Sequence, residues 1–300
     1  MRSEDIKYVI IQAGGKGIRM GRYAENKPKC LVPVKGIPMI MNTIEKYKDK
    51  EIIIIADYKA DVLEAYLSNF CKHNFNVCQT TEQGTAGGLA KVMDSIPDDE
   101  PFILTWADLF FEETPEFEFD KDLLVGLSDT FKCRWKLENN KFVNEASTEV
   151  GVAGFFAFKN KERFNKLSIS KSLVRGFLSE NYKDNEIDSF TLSNCFEVGE
   201  VDKYESILVN ELNHRFFNEV IIDGDKVTKR CIDPKYEDVH SKEKLWYNAV
   251  SDRLENIPKI YSYDPLTMGR IGGEHLWNLK ENKEELINNF CDALDSLHSI

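Results

Sequence analysis

No stretch of this chain approaches the ~20 consecutive apolar residues that a helix needs to cross a bilayer, so membrane insertion is not expected. Cysteine is sparse and odd in number: seven residues at scattered spacings do not make a disulfide framework. Cys71, His73 and Cys78 form the one Cys/His cluster, and without a fourth ligand they read as structural thiols rather than a zinc site. Met1 to Lys7 is charged, and the apolar strand after it is too short for the core of a secretory leader. A reduced, cytoplasmic protein is the expectation. Positive charge is also in deficit. With 39 Lys and Arg against 51 Asp and Glu, the formal charge of −12 leaves no room for the broad basic surface that a nucleic-acid polymer requires. What the chain does have is core material: 42% hydrophobic residues, including 19 Phe, over 300 positions, which suits one large domain or two modest ones.

The most informative segment is residues 12–38, QAGGKGIRMGRYAENKPKCLVPVKGIP. A buried-type strand at Tyr8–Ile11 runs into Gly14, Gly15 and Gly17. Glycines in that position let backbone N–H groups approach an anion that side chains would block. Arg19 and Lys29 bring two positive charges to the same anion. The combination spells a nucleoside triphosphate site. Two common phosphate loops do not fit it. A Walker loop needs Ser or Thr after Gly-Lys, and Lys16 is followed by Gly17. A dinucleotide fingerprint has an acid about 20 residues after its glycines, and the stretch that follows the glycines here carries Lys27 and Lys29 instead.

Gly-Gly-x-Gly-x-Arg, then Pro-Lys-x-Leu-x-Pro-Val, then Gly-x-Pro-Met-Ile resembles the nucleotidyltransferase family that makes sugar nucleotides and CDP-alcohols. The resemblance implies that Gln12, Ala13, Gly14, Gly15 and Gly17 cradle the nucleotide. It implies that Arg19 holds the β- and γ-phosphates and that Lys29 bridges the α-phosphate and the incoming phosphate. The segment Gln83-Gly84-Thr85-Ala86-Gly87-Gly88 would contact base and ribose, with Gln83, Gly84, Thr85 and Gly88 as candidates. Asp108, at the end of the apolar run Pro101–Ala107, stands where the family places a Mg²⁺ ligand. Gly154, within Glu149–Phe155, would border the acceptor pocket. Phe196-Glu197-Val198-Gly199 matches the second metal segment with Glu197 where many members carry Asp, and Glu200 and Asp202 are nearby alternatives. Trp106 is expected in the core, and Arg22 and Lys27 on the surface. Lys159, Lys161 and Arg175 could reach an acceptor phosphate, although surface lysines usually do not.

The implied reaction moves NMP from an NTP to a phosphorylated small molecule, with pyrophosphate released and Mg²⁺ as cofactor. A sugar-1-phosphate acceptor in glycan precursor synthesis is the first reading. A phosphocholine-type cytidylyltransferase is the second, and a nucleotide-binding regulatory module is the non-enzyme alternative. CTP, GTP and UTP or dTTP all remain open as donors.

Apolar strands at Tyr8–Ile11, Glu51–Ala56, Phe75–Cys78 and Phe102–Trp106 alternate with helical patterns at Met39–Tyr47, Ala60–Phe70 and Ala86–Ile96. That alternation predicts an α/β, Rossmann-like, doubly wound and mostly parallel sheet. Further strands are expected at Leu123–Leu127, Cys133–Leu137 and Val152–Phe158, and helices at Glu162–Leu167 and Ser172–Glu180, completing a nucleotidyltransferase domain over residues 1–210. Residues 211–300 read as a second, small α+β domain. Two strands flank Asp223-Gly224-Asp225, and helices follow at Lys242–Leu254 and Lys283–Leu297. This part resembles the N-terminal lobe of the choline-kinase and aminoglycoside-phosphotransferase family, with Lys229 as the phosphate-contacting lysine, Glu243 as its partner, and Gly272-Gly273 after the adenine-holding hinge. No His-x-Asp catalytic loop follows before Ile300. A piece of a longer bifunctional protein is preferred over a structural remnant, and no kinase activity is expected.

Overall fold

The computed structural model describes residues 1–80, 85–166, 174–210, 217–254, 256–273 and 283–298. They fall into two compact units, Met1–Glu211 and Leu212–Ile300. The first unit opens with β1 (Tyr8–Gln12), α1 (Met39–Lys46), β2 (Glu51–Ala56), α2 (Ala60–Phe70), β3 (Asn76–Gln79), α3 (Thr85–Val92) and β4 (Phe102–Trp106). β2 and β4 both run parallel to β1, and β3 runs parallel to β2, in the order β3-β2-β1-β4. The chain thus steps outward from β1 to β3 and then crosses to the other side of β1. A crevice opens at the carboxyl ends of strands where the winding reverses, here between β1 and β4.

The strands form because their Ile- and Val-rich runs are apolar on both faces, as a parallel sheet covered on both sides requires. Successive side chains alternate. Val9, Ile11, Ile52 and Ile54 pack with Ile40 and Ile44 of α1 and with Leu63 and Leu67 of α2. Ile10, Ile53, Ile55 and Leu104 pack on the opposite face with Leu89 and Val92 of α3 and with Phe177 and Leu178.

The remainder of the unit comprises β5 (Leu109–Phe111), β6 (Leu123–Ser128), β7 (Lys136–Glu138), β8 (Lys141–Val143), β9 (Gly151–Phe158), α4 (Val174–Asn181), β10 (Ile187–Thr191), β11 (Cys195–Glu197) and α5 (Val201–Asn210). β9 is buried at all eight positions and pairs antiparallel with both β4 and β6. β10 adds to β6 in parallel, and β5 pairs with β11 in a separate ribbon. The result is an α/β fold whose parallel centre is extended on one side by antiparallel strands.

Some expected boundaries move. Cys133–Leu137 is not one strand: Cys133 makes an isolated bridge to Ser147, and pairing starts only at Lys136. Ser128 Oγ accepts the Thr130 and Phe131 N–H groups at 3.2 and 3.1 Å, and this turn pulls the chain off the sheet before Cys133. The first two residues of the expected helix Ser172–Glu180, and Leu167, lie outside the described residues. β5, β10 and β11 were not expected, because runs of three to five residues carry too little periodicity to read.

One charged cluster ties the edge of this unit together. Arg163 binds Glu186 through two N–H···O contacts of 2.9 Å, reaches Asp122 at 2.8 Å, and covers the Tyr182 ring at 4.5 Å. The guanidinium, with help from the Lys183 N–H, lowers the Glu186 carboxyl to about 2. A depressed folded value means the contribution is complete above the ordinary glutamate value of ~4.3 and is lost as pH falls toward 2. Glu186→Gln is therefore expected to make stability less dependent on pH over that window, as read from urea midpoints at pH 2.5, 4 and 6.

The second unit contains β12 (Asn218–Asp223), β13 (Lys226–Cys231), α6 (Glu237–Val250), β14 (Ile260–Tyr263), β15 (Leu266–Gly269) and α7 (Lys283–His298). Its strands form an antiparallel sheet in the order β12-β13-β15-β14. α6 begins five residues before the expected Lys242. Asp233 accepts the Lys235 N–H at 3.1 Å to cap a 3-10 turn leading into it, and Glu237 and Asp238 place negative charge at its N-terminal end. Lys229 on β13 donates to both carboxylate oxygens of Glu243 on α6, at 2.7 and 2.6 Å.

Candidate active site

Three segments far apart in sequence meet at the crevice beside β1 and β4. The first is the loop after β1. Gly17 has φ +67°, in the left-handed region, and a Cβ there would lie 2.9 Å from the Cβ atoms of both Ala24 and Lys29. Glycine is what lets the loop close against Lys29. Gly17→Ala is accordingly expected to cost about 1–3 kcal/mol in urea unfolding and to displace Lys29. Arg19 follows on a 3-10 segment, Ile18–Ala24, and Lys29 opens a second one, Lys29–Leu31. Cys30 and Leu31 are buried, and burial pushes the Cys30 thiol up to about 12, so it stays a neutral packing group beside the charged lysine. A satellite core of Met20, Val32, Val34, Met39, Phe110, Val198 and Tyr204 fastens this loop to the segments that follow.

The second segment is the end of β4, where Ala107 N donates to Gln12 O at 3.1 Å and so holds Asp108 beside the glycine loop. The third is β11. Its register with β5 sets Glu197 opposite Leu109, the neighbour of Asp108, and Val198 N donates to Asp108 O at 2.9 Å. A Cβ on Gly199 would collide with the Glu197 carboxylate and lie 3.4 Å from Lys29 Nζ, so Glu197, Lys29 and Asp108 are close neighbours.

The charges there are paired. Lys29 Nζ meets Asp108 Oδ2 at 2.5 Å, with side chains only 12% and 20% exposed. Lys203 Nζ on α5 meets Glu197 Oε2 at 2.6 Å, and Arg19 pairs with Glu200. Of the three acids weighed as the second metal ligand, Glu197 and Glu200 both line the second cavity described below, each paired with a cation, and Asp202 is exposed on α5 and lines neither cavity. Glu197 is the one beside Asp108.

Two adjoining cavities open here. The first, of about 610 Å³, is walled by the backbone run Gln12 to Arg19 and by Lys29, Asp57, Thr80 and Asp108. Gln12 Oε1 is buried in that region and accepts no hydrogen bond among the described residues. The second, of about 400 Å³, is walled by Phe131, Trp135, Gly154, Arg175, Glu197 and Lys203 among others. Arg19, Trp106, Asp108 and Arg134 line both.

Gln12, Ala13, Gly14, Gly15, Gly17, Arg19, Lys29 and Asp108 therefore share one cavity wall, and Glu197 and Gly154 lie on the next. Gly154, at φ +91°, sits against the indole of Trp106, where a Cβ would come within 2.7 Å of the ring. Trp106 does pack on the core, stacking obliquely on Phe156 at 5.3 Å, but it also faces both cavities. Gly88 lines neither. Its Cα lies against Ile55, where a Cβ would be 2.5 Å from Cγ2, so helix–sheet packing accounts for this glycine. Gln83, Gly84 and the Thr85 side chain lie outside the described residues. Lys159 and Lys161 are committed to the main-chain oxygens of Asp120 and Met93, whereas Arg175 lines the second cavity. Lys203 and Arg134 were missed. A single lysine or arginine on an acidic, half-exposed chain carries no sequence signal of its own.

Asp108 and Glu197 supply two hard oxygen donors in a partly buried setting. Among the described residues no three His, Cys, Asp or Glu side chains converge into a protein-built metal cage. The pair suits Mg²⁺, which is commonly held by one or two carboxylates and completes its shell with phosphate oxygens and water.

Comparison with known proteins bears on the same region. Residues 9–115 match the family model described as a MobA-like NTP transferase domain. The chain is 32% identical over 111 residues to the bifunctional protein GlmU of Methanocaldococcus jannaschii, a match that covers 36% of this chain and 26% of that protein. It is 27% identical over 153 residues to the glucose-1-phosphate cytidylyltransferase of Salmonella typhimurium, covering 41% of this chain and 60% of the relative. These matches thus span between about a quarter and three fifths of the relatives' length. In three dimensions it superposes on HddC of Yersinia pseudotuberculosis with a TM-score of 0.55 at 17% identity, covering 68% of this chain and 99% of that one. At that identity the likeness to HddC is one of fold alone.

Proposed function

We propose that this chain transfers a nucleoside monophosphate from an NTP to the phosphate of a small acceptor, a sugar-1-phosphate above all, and releases pyrophosphate. The observation that carries the reading is the convergence of Arg19, Lys29, Asp108 and Glu197 on two cavities that share part of their walls. One cavity accommodates a nucleotide along the glycine loop, and the other accommodates the acceptor. An acceptor phosphate oxygen attacks the α-phosphorus, the bond from the α-phosphorus to the α,β-bridging oxygen breaks, and pyrophosphate leaves opposite. A phosphate monoester dianion is already nucleophilic, so the protein need supply no general base. It must supply positive charge where two anions meet. Arg19 binds the β- and γ-phosphates, and Lys29 spans the α-phosphate and the incoming phosphate. Mg²⁺ held by Asp108 and Glu197 would neutralise and orient the α-phosphate.

The relatives matched by sequence include one named for glucose-1-phosphate, which supports a sugar-phosphate acceptor; glycan precursor synthesis is the setting proposed for it. A phosphocholine-type acceptor has one observation in its favour: Trp106, Phe131 and Trp135 line the second cavity, and aromatic faces suit a quaternary ammonium. Pyrophosphate release should be measured with CTP, GTP, UTP and dTTP crossed against hexose-1-phosphates, N-acetylhexosamine-1-phosphates and phosphocholine. One active combination, dependent on Mg²⁺, names both substrates. Absence of nucleotide binding by all four would remove the reading.

For the second unit the proposal is a scaffold like a phosphotransferase N-lobe. Its antiparallel sheet, the helix between β13 and β14, and the Lys229–Glu243 pair support it. Lys229 belongs to the second unit, and Lys229→Ala is expected to leave pyrophosphate release within about twofold of wild type, a change of under ~0.5 kcal/mol in barrier.

A further inference from the structure

Three carboxylates line the second cavity, and each already has a cation: Asp108 has Lys29, Glu197 has Lys203 and Glu200 has Arg19. Three further cations on that wall, Lys132, Arg134 and Arg175, form no ion pair among the described residues. In a chain of net charge −12 this local excess points to an anionic ligand. Arg175 donates to Asn144 Oδ1, which leaves Lys132 and Arg134. Of these only Arg134 lines both cavities, and it makes no hydrogen bond or ion pair among the described residues.

Its backbone is nevertheless held firmly on both sides. Cys133 exchanges two main-chain hydrogen bonds with Ser147, at 2.8 and 3.1 Å. Trp135 O accepts Val152 N at 2.9 Å, and the indole packs against Phe142 and Phe156 at 5.3 and 6.2 Å. Arg134 is thus an exposed arginine on a fixed main chain, without a partner among the described residues and on the wall of both cavities, where a ligand's phosphate can reach it.

We propose that Arg134 holds the acceptor's phosphate and presents it to the α-phosphorus. This rests on the transferase reading above and adds to it the group that recognises the attacking anion. The planar fork of arginine can bind two phosphate oxygens at once, leaving the third free to attack. That third oxygen forms the new bond to the α-phosphorus as the bridging oxygen departs with pyrophosphate. Arg134 stays protonated and bonded to the two non-attacking oxygens throughout. Because the contact is with the phosphate alone, it operates whichever alcohol or sugar carries that phosphate.

The test uses the full chain saturated with Mg²⁺ and a non-hydrolysable analogue of whichever NTP it binds, with inorganic phosphate as the probe in a calorimetric titration. Arg134→Gln is expected to weaken phosphate binding by roughly ten- to a hundredfold, the range for loss of a charge-assisted hydrogen-bonded contact. Arg134→Lys should fall between that variant and wild type, because it keeps the charge and loses the fork. Nucleotide affinity should stay within about threefold in both variants, which also reports that the site is folded. Arg22→Gln serves as control, since Arg22 is exposed, pairs with Glu205 and lines neither cavity. Equal phosphate binding by wild type and Arg134→Gln would overturn the role of Arg134, as would a wild type that binds nucleotide and no phosphate. Failure of wild type to bind any NTP is a separate result that removes the transferase reading itself.

Discussion

Lys29→Ala is expected to slow pyrophosphate release by about a hundred- to a thousandfold, or ~3–4 kcal/mol of barrier, while the protein stays folded. The size follows from where the ammonium sits. Its side chain is 12% exposed and is held between Pro28 and the buried Cys30 and Leu31, so water cannot take over its role when it is removed. In a partly desolvated site a fixed positive charge acts far more strongly on developing negative charge than it would in bulk water. On the proposed chemistry the loss should appear in kcat more than in the KM for NTP, because Arg19 and the glycine loop would still hold the triphosphate. Steady-state release with the active substrate pair measures both. A Lys29→Ala enzyme within tenfold of wild type would exclude lysine as the bridge between the two phosphates.

Phe158→Ala should cost the first unit about 3–5 kcal/mol, enough to threaten folding outright, since whole domains are stable by only ~5–15 kcal/mol. Phe158 is fully buried at the end of β9. It stacks on Phe102 at 4.9 Å, meets Phe164 edge-on at 4.9 Å, and approaches Tyr182 at 6.0 Å. Removing the ring empties a space that β4, β9 and the Phe164 segment all border, and none of them can collapse into it without breaking the β4–β9 register. Urea unfolding of the variant against wild type reads the loss. Phe70→Ala, at a ring 62% exposed, should shift the midpoint by far less.

The parallel centre of the fold was legible because Val9–Ile11, Ile52–Ile55 and Phe102–Leu104 are apolar runs with no polar face, separated by helical spacings. Only strands buried on both sides look like that. The glycine loop, Arg19, Lys29 and Asp108 were picked out by ordered motifs that resemble those of a known family, and the fold brings them to one cavity wall. Beyond β4 the signal thins. β5 and β11 are three residues each, and their pairing, which sets Glu197 beside Asp108, is a tertiary event with no local pattern. The segment around Cys133 carries strand-forming residues, yet a serine hydroxyl turns it away from the sheet before Lys136. Gly88 looked like a ligand contact and proves to be a place where helix and strand need to touch. Arg134 and Lys203 carried no signal at all. Their meaning comes from which charges around them are already matched.

That matching has a consequence for how the crevice fills. With Lys29 on Asp108, Lys203 on Glu197 and Arg19 on Glu200, the pairs are locally neutral and largely satisfied. Free Mg²⁺ arriving alone would strand the lysines it displaces, and a bare triphosphate would strand the carboxylates, each leaving a partly buried charge uncompensated. A visitor that brings both signs together lets every partner be exchanged in a single step. On the proposed chemistry the crevice is therefore a gate that admits the preformed metal–nucleotide complex in preference to either component. Nucleotide affinity plotted against Mg²⁺ should consequently follow the concentration of the complex and not that of the free nucleotide.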